Sequence, residues 1–185
     1  MNTQTAAQHG REVMAQGLED LSREALERLV VMTAKDVIAL DGTWFQSLER
    51  ARGMDAAMEH DREAWRRFVP SEARRLAQLL ELPERCGLAG LARALPLRCT
   101  SLANEWEIRW EDGGNALVFR ITDCRVQTAR ARKGMEFHPC KSVGELEYAG
   151  FAAALDDRIR CECASCFPDI TDDTCNCAWR FQLEE

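Results

Sequence analysis

The sequence has 185 residues and a net charge of −7, and 46% of its residues are hydrophobic. This length suits one domain that buries a core of its own without disulfide bonds. The basic residues are scattered among acidic ones, which argues against nucleic acid as the main partner, because such binding needs a basic patch. No stretch approaches the roughly 18 apolar residues of a membrane span.

The N-terminal segment, residues 1–18, is polar and shows no apolar periodicity, so we predict a loose arm. It also lacks the apolar run of a signal peptide. The chain contains nine cysteines, and complete disulfide pairing would leave one of them over. We therefore expect a cytoplasmic protein whose cysteines are reduced or bound to metal.

Residues 19–185 are predicted to form a single domain, of which 19–96 is the helical part. Ser22 is a typical N-cap, and apolar residues then recur at three- and four-residue spacing. Breaks or ends of successive helices are predicted at Asp41-Gly42, Gly53, Pro70, Pro83 and Pro96.

The pattern changes to strands in the second part of the domain, residues 97–185. In NEWEIRWE (104–111), apolar and charged residues alternate, which is typical of a half-buried strand. The sequence DGGN (112–115) predicts a hairpin turn into a return strand. The elements predicted after it are a helix at 125–133, a helix at 142–157 and strands at 158–163 and 178–183. Helices followed by a mainly antiparallel sheet predict an α+β fold, with the N-terminal helices packed on the sheet.

Five of the nine cysteines lie within CECASCFPDITDDTCNC (161–177), which is too dense for packing alone. Cys163 and Cys166 have the C-x-x-C spacing with which two thiolates bind one ion. Cys140, before the 142–157 helix, and either Cys175 or Cys177 are the candidates that complete the site. Four thiolates favour Zn²⁺, and an iron–sulfur cluster is the alternative. The isolated Cys86, Cys99 and Cys124 are interpreted as small buried residues.

The spacing Cys140-x22-Cys163-x2-Cys166, followed by a Cys two residues before an aromatic residue in a final strand, resembles the end of the 4-vinyl reductase (hydrocarbon-binding) domain family. Relatives of that family include aromatic-effector sensor domains of bacterial transcription activators. The resemblance covers about residues 100–183. It implies an α+β fold with a zinc ion near the C-terminus, held by Cys140, Cys163, Cys166 and Cys177, with Cys175 as the alternate fourth ligand.

Five further stretches carry a second resemblance that spans most of the chain. They are DGTWF (41–45), TDCRVQTARARKG (122–134), FHPCKSVGE (137–145) and the CASCFPD and CAWRF segments near the end. Together they are similar to a family of small bacterial cytosolic proteins, some described as similar to L-2-amino-thiazoline-4-carboxylate hydrolases. This resemblance implies hydrolysis of a cyclic amide or thiazoline-like substrate.

We expect the partner to be a small apolar or aromatic molecule. Binding such a molecule needs an apolar pocket with a few polar groups. The aromatic candidates for its wall are Trp44, Phe45, Trp65, Trp106 and Trp110, for each of which plain core packing is the alternative. Polar candidates are Asp41, His60 and Gln127. For nucleophilic catalysis, the pair that we consider is Cys124 with His138.

Two function hypotheses follow. The first is a zinc-stabilised, sensor-like protein that binds a small molecule, because an all-cysteine zinc site is closed to chemistry. The second is a small hydrolase, and an iron–sulfur protein is a further alternative. The sequence leaves both enzyme activity and a homodimer open.

Overall fold

The structure, a computed structural model, describes residues 3–184. Over these residues it contains seven α-helices and one four-stranded sheet. The helices are α1 (Thr3–Glu19), α2 (Arg23–Arg52), α3 (Met54–Leu79), α4 (Gly87–Ala94), α5 (Cys99–Leu102), α6 (Arg125–Arg132) and α7 (Lys141–Leu155). The strands are β1 (Glu105–Glu111), β2 (Ala116–Asp123), β3 (Ile159–Cys166) and β4 (Cys177–Leu183).

The strands form one antiparallel sheet in the order β1-β2-β4-β3. One face of this sheet is covered by helices, because Phe119 of β2 and Phe181 of β4 share a buried cluster with Val69 of α3 and Phe151 of α7. The predicted α+β fold and the hairpin between β1 and β2 are confirmed.

The helices α2 and α3 are longer than the sequence predicts. The predicted break at Asp41-Gly42 is wrong, since α2 continues through it, and Pro70 lies inside α3 rather than at its end. Gly weakens a helix interior by about 1 kcal/mol and Pro by about 3 kcal/mol relative to Ala. Packing outweighs these costs, because Ile38 and Phe45 of α2 and Val69 of α3 are buried beside the breakers.

The N-terminal segment, predicted as a loose arm, is helical over Thr3–Glu19. Ala, Gln, Glu and Met favour a helix even where no apolar stripe directs it against a core. The side chains of Val13, Met14 and Leu18 remain exposed, so this helix does not bury them against the domain.

The two long helices are connected by a single glycine. Gly53 has a φ of 87°, a value that glycine adopts at little cost, and it lies between the last residue of α2 and the first residue of α3. At the other end of α2, the Ser22 side chain accepts a hydrogen bond of 3.2 Å from the Ala25 backbone N–H, which confirms the predicted N-cap.

Helix α7 lies unusually close to the sheet near its N-terminus. A Cβ atom added at Gly144 would lie 2.3 Å from Cζ2 of Trp179 in β4. This close approach fixes the first turn of α7, and with it Cys140, against the inner face of the sheet.

Within the part of the chain that the structure describes, none of the helices combines the length and apolar character needed to cross a membrane.

Candidate active site

A small interior cavity lies between α2, α3, α6, α7 and the helix-covered face of the sheet. Its volume is about 130 Å³. A cavity of about 150 Å³ accommodates a benzene molecule, so this one suits a single five- or six-membered ring. Aromatic wall residues are Phe45, Trp65, Tyr148 and Trp179; polar ones include Asp41, Asp61, Gln127 and His138; and the thiols are those of Cys124, Cys140, Cys166 and Cys177.

The structure places the predicted pocket residues in three different environments. Phe45, Trp65 and Gln127 line the cavity. Trp106 instead stacks on Phe119 in the core, with ring centroids 5.6 Å apart. Trp44 and Trp110 lie at the surface, with 59% and 49% of their area exposed; Trp110 shares the face of Trp106 and pairs with Leu117, but it lies near the end of the edge strand β1. Trp44, Trp106 and Trp110 are therefore not part of the cavity wall.

Cys140 occupies the N-cap position of α7 and points its thiol into the cavity. Two short backbone links hold it there: the Cys140 N–H donates to the His138 carbonyl at 2.8 Å, and the Lys141 N–H donates to the Phe167 carbonyl at 3.1 Å. The positive end of the helix dipole faces this position and favours a thiolate over a thiol.

His138 is buried beside Cys140 and is oriented by α3 and α6. Its Nε2 lies 3.2 Å from Oδ2 of Asp61, on α3. The Gln127 side chain, on α6, accepts from the His138 N–H at 3.0 Å and donates to the His138 carbonyl at 2.9 Å. The ring of Phe45 lies 4.5 Å from the imidazole, centroid to centroid. Nε2 faces Asp61, whereas Nδ1 is buried and has no hydrogen-bond partner within residues 3–184.

The charges at this site favour a thiolate and an imidazolium. Burial lowers the pKa of His138, but the Asp61 carboxylate and, after it, the nearby Cys140 thiol outweigh burial and raise it to about 9. The largest effect that lowers the pKa of Cys140 comes from the neighbouring Cys166 thiol, and a smaller one comes from His138. Burial acts in the opposite direction and raises this pKa. Gln127 Nε2, 3.5 Å from the Cys140 Sγ, adds a donor that stabilises the thiolate.

Asp41, on the opposite helix α2, is the second carboxyl group of the cavity. Burial, and then the negative charge of Asp61, raise its pKa to about 6, although His138 acts in the other direction. A carboxyl group with such a pKa exchanges protons near neutral pH, which is the range that general acid or base catalysis uses.

Four of the five cysteines predicted as metal ligands, Cys140, Cys163, Cys166 and Cys177, lie on or beside the helix-covered face of the sheet. The Sγ atoms of Cys140 and Cys166 are 3.5 Å apart, and Cys166 pairs directly with Cys177 on the adjacent strand. Cys163 pairs with Trp179, so its side chain is on that same face, but it lies outside the cavity wall. Cys175 packs with Val118 and Ala178 in a separate buried cluster, on the opposite face, which separates it from the other thiols.

Among residues 3–184, no group of three or more His, Cys, Asp or Glu side chains is arranged so that it could hold a metal ion. As they stand, the thiols of Cys140, Cys166 and Cys177 therefore do not form a ligand set, and the zinc site stays a prediction.

The profile of a protein family of unknown function, DUF6125, matches residues 19–183. The chain belongs to the DUF6125 family. A search of curated proteins gives no significant match. The match spans every element from α2 to β4, so both the cavity and its thiols lie within the DUF6125 region.

The sequence analysis missed the partner that orients His138 in this DUF6125 protein. It paired His138 with Cys124, whose pKa burial raises to about 12, whereas Cys140 is the thiol with the lowered pKa. Two signals were present: His138-Pro139-Cys140 places an imidazole two residues before a helix-capping thiol, and Asp61 shares the inward spacing of Met58 and Trp65 on α3.

Proposed function

We propose that this protein is a small hydrolase that uses the Cys140 thiolate as its nucleophile on a ring-sized cyclic amide or thiazoline-like substrate. The observation that carries this proposal is that Asp61, the His138 imidazole 3.2 Å from it and the Cys140 thiol all line one cavity, which holds one ring. A nucleophile, a base that activates it and a third group that orients the base are the parts of a covalent hydrolase site.

For a cyclic amide substrate, the proposed reaction adds one molecule of water across the ring C–N bond. The Cys140 sulfur attacks the ring carbon, a C–S bond forms, and the C–N bond breaks as His138 gives its proton to the departing nitrogen. Water then attacks the thioester carbon, His138 takes the proton from that water, and the thiolate leaves. Gln127 Nε2 donates towards this region and stabilises negative charge on the attacked carbonyl group.

The wall of the cavity matches such substrates in size and polarity. Tyr148 and Trp179 stack with centroids 4.7 Å apart and present flat apolar surface. Gln127 and Asp41 supply the few polar groups that orient a heteroatom in the ring.

The test is ring opening of a panel of five- and six-membered lactams and 2-thiazolines, followed by NMR and by mass spectrometry of the intact protein. We expect ring-opened product and, with slow substrates, an acyl adduct on Cys140. Cys140→Ala should abolish product formation, whereas Cys86→Ser, which replaces a thiol outside the cavity wall, should leave the rate unchanged. Ring opening that survives in Cys140→Ala would contradict the proposal.

A second candidate function is a zinc-stabilised protein that binds a small molecule without catalysis. The observation that favours it is the proximity of Cys166 to Cys140 and to Cys177, with Cys163 three residues before Cys166. Zinc bound by these thiolates would tie α7 to β3 and β4 and so stabilise the fold.

Metal analysis of the purified protein tests this second candidate. It predicts one zinc per chain, lost in Cys140→Ser, Cys166→Ser and Cys177→Ser and retained in the matched control Cys175→Ser. A brown protein that contains iron would support the iron–sulfur alternative. A protein that is purified without metal, and whose unfolding midpoint does not change when zinc or iron is added, would contradict both the zinc site and the iron–sulfur cluster.

A further inference from the structure

A second, outer cavity lies next to the one that contains Cys140. It has a volume of about 490 Å³ and lies between α2 and α6. The residues that line both cavities are Ile38, Gly42, Gln46, Asn104 and Val126. A single layer of side chains therefore separates the outer space from the inner one.

Three of the shared residues form one stripe along α2. Ile38, Gly42 and Gln46 are spaced four residues apart, so they lie above one another on the same face of the helix. The middle member of the stripe has no side chain, so the layer between the cavities has a gap at Gly42.

Neither backbone conformation nor close packing explains a glycine at this position. Gly42 lies within the continuous helix α2, and a Cβ atom added to it would meet nothing within 4 Å. Glycine is less favourable than alanine inside a helix. By contrast, Gly144 of α7 has no room for a Cβ beside Trp179.

We propose that Gly42 determines substrate specificity by leaving an opening between the two cavities, through which a substituent on the bound ring extends outwards. This inference rests on the proposed function, because it assigns the ring to the cavity beside Cys140. The substrate class that it names is a five- or six-membered ring with one substituent, the ring in the inner cavity and the substituent in the outer one.

The test measures binding of two probes that have no carbonyl group for a thiolate to attack, thiazole and 2-phenylthiazole, which share an aromatic ring and differ in the substituent. Trp65 and Trp179 line the inner cavity, whereas Trp44, Trp106 and Trp110 do not. The indole N–H signals of the first two residues in NMR spectra therefore report the bound ring, and those of the other three serve as internal references.

We expect the wild-type chain to bind 2-phenylthiazole at least tenfold more tightly than thiazole. Gly42→Leu should remove that preference, because it should weaken 2-phenylthiazole about tenfold more than it weakens thiazole. Ala51→Leu is the matched control, because Ala51 is exposed on the same helix and lines neither cavity; it should keep the preference. Gly42→Ala should give an intermediate result.

Three results would overturn the inference: an unchanged preference in Gly42→Leu, an equal loss of both probes, or no response of Trp65 and Trp179 to either probe in the wild-type chain. Because the probes do not react, these results are independent of catalysis. Probe binding with the expected preference but without any ring opening of lactams would contradict the hydrolase proposal alone.

Discussion

At the scale of single residues, Cys140 differs from the other cysteines in its surroundings rather than in its burial. Burial raises the pKa of Cys99 and of Cys124 to about 12 each, because little near them stabilises a thiolate. Cys140 is also largely buried, but it caps α7 and faces His138 and Gln127. Local charge and hydrogen bonds therefore decide which thiol is reactive.

Asp61→Asn tests the role of the carboxylate behind His138. The substitution removes the negative charge that stabilises the imidazolium, so the thiolate fraction of Cys140 should fall. We expect the rate of ring opening to fall on the order of 100-fold, mainly in kcat, and alkylation of Cys140 at pH 6 to slow as well. Glu59→Gln, at an exposed position of the same helix, should change neither rate. An unchanged alkylation rate in Asp61→Asn would show that Asp61 does not support the thiolate.

Only part of this site could be predicted from the sequence. The physical reason is that some of its residues are far apart along the chain and meet only when the helices pack. Cys140, Cys163, Cys166 and Cys177 were expected to converge because a helix followed by a reversing strand brings their segments together, and the structure places all of them except Cys163 around one cavity. Asp61 could not be paired with His138, because the contact depends on how α3 packs on the segment before α7.

At the scale of elements, local patterns predicted the strands better than the helix ends. Alternation in β1 and β2 and the glycine pair between them specify a hairpin within about 20 residues, so little tertiary information is needed. Gly42 and Pro70 indicated breaks that packing overrides, because the flanking residues of α2 and α3 are buried. Sequence alone does not reveal which local weakness the tertiary fold compensates.

Gly144→Ala tests the close approach of α7 to the sheet. The new Cβ would lie 2.3 Å from Trp179, so α7 must shift, and we expect the free energy of unfolding to fall by about 1–3 kcal/mol. Denaturant unfolding measures this change. The matched control is Gly150→Ala on the same helix, where the nearest atom, Cγ1 of Val69, is at an ordinary 3.7 Å; it should be neutral or stabilising by up to about 1 kcal/mol. Equal stability of the two variants would show that this contact does not fix α7.

At the scale of the whole molecule, a buried arginine joins the helical and sheet parts of the chain. Arg98 is fully buried, and its Nη2 lies 2.9 Å from Glu72 of α3 and 2.8 Å from Glu147 of α7. Its guanidinium also lies 4.5 Å from the centroid of the Phe151 ring. One cation therefore neutralises two carboxylates that would otherwise be buried together, and Glu147 in turn lines the cavity.

Arg98→Met tests this connection. Removing the cation leaves two uncompensated carboxylates, so we expect a loss of about 3–5 kcal/mol in the free energy of unfolding. The triple variant Arg98→Met, Glu72→Gln, Glu147→Gln should regain part of that loss, since no buried charge remains. The control Arg66→Met removes an exposed pair with Glu63 and should cost at most about 1 kcal/mol. A similar small loss in Arg98→Met would contradict the role assigned to Arg98.

The most direct test of the account is the pH dependence of iodoacetamide alkylation at Cys140, followed by peptide mass spectrometry on chelator-treated protein. An isolated thiol gains reactivity about tenfold per pH unit up to its pKa of about 8.5. Cys140, paired with an imidazolium whose pKa is raised to about 9, should already react at pH 6 and change little up to pH 8. His138→Ala should shift the rise in reactivity to higher pH, while Cys166 still favours the Cys140 thiolate. A wild-type profile that follows an ordinary thiol would contradict the proposed nucleophile.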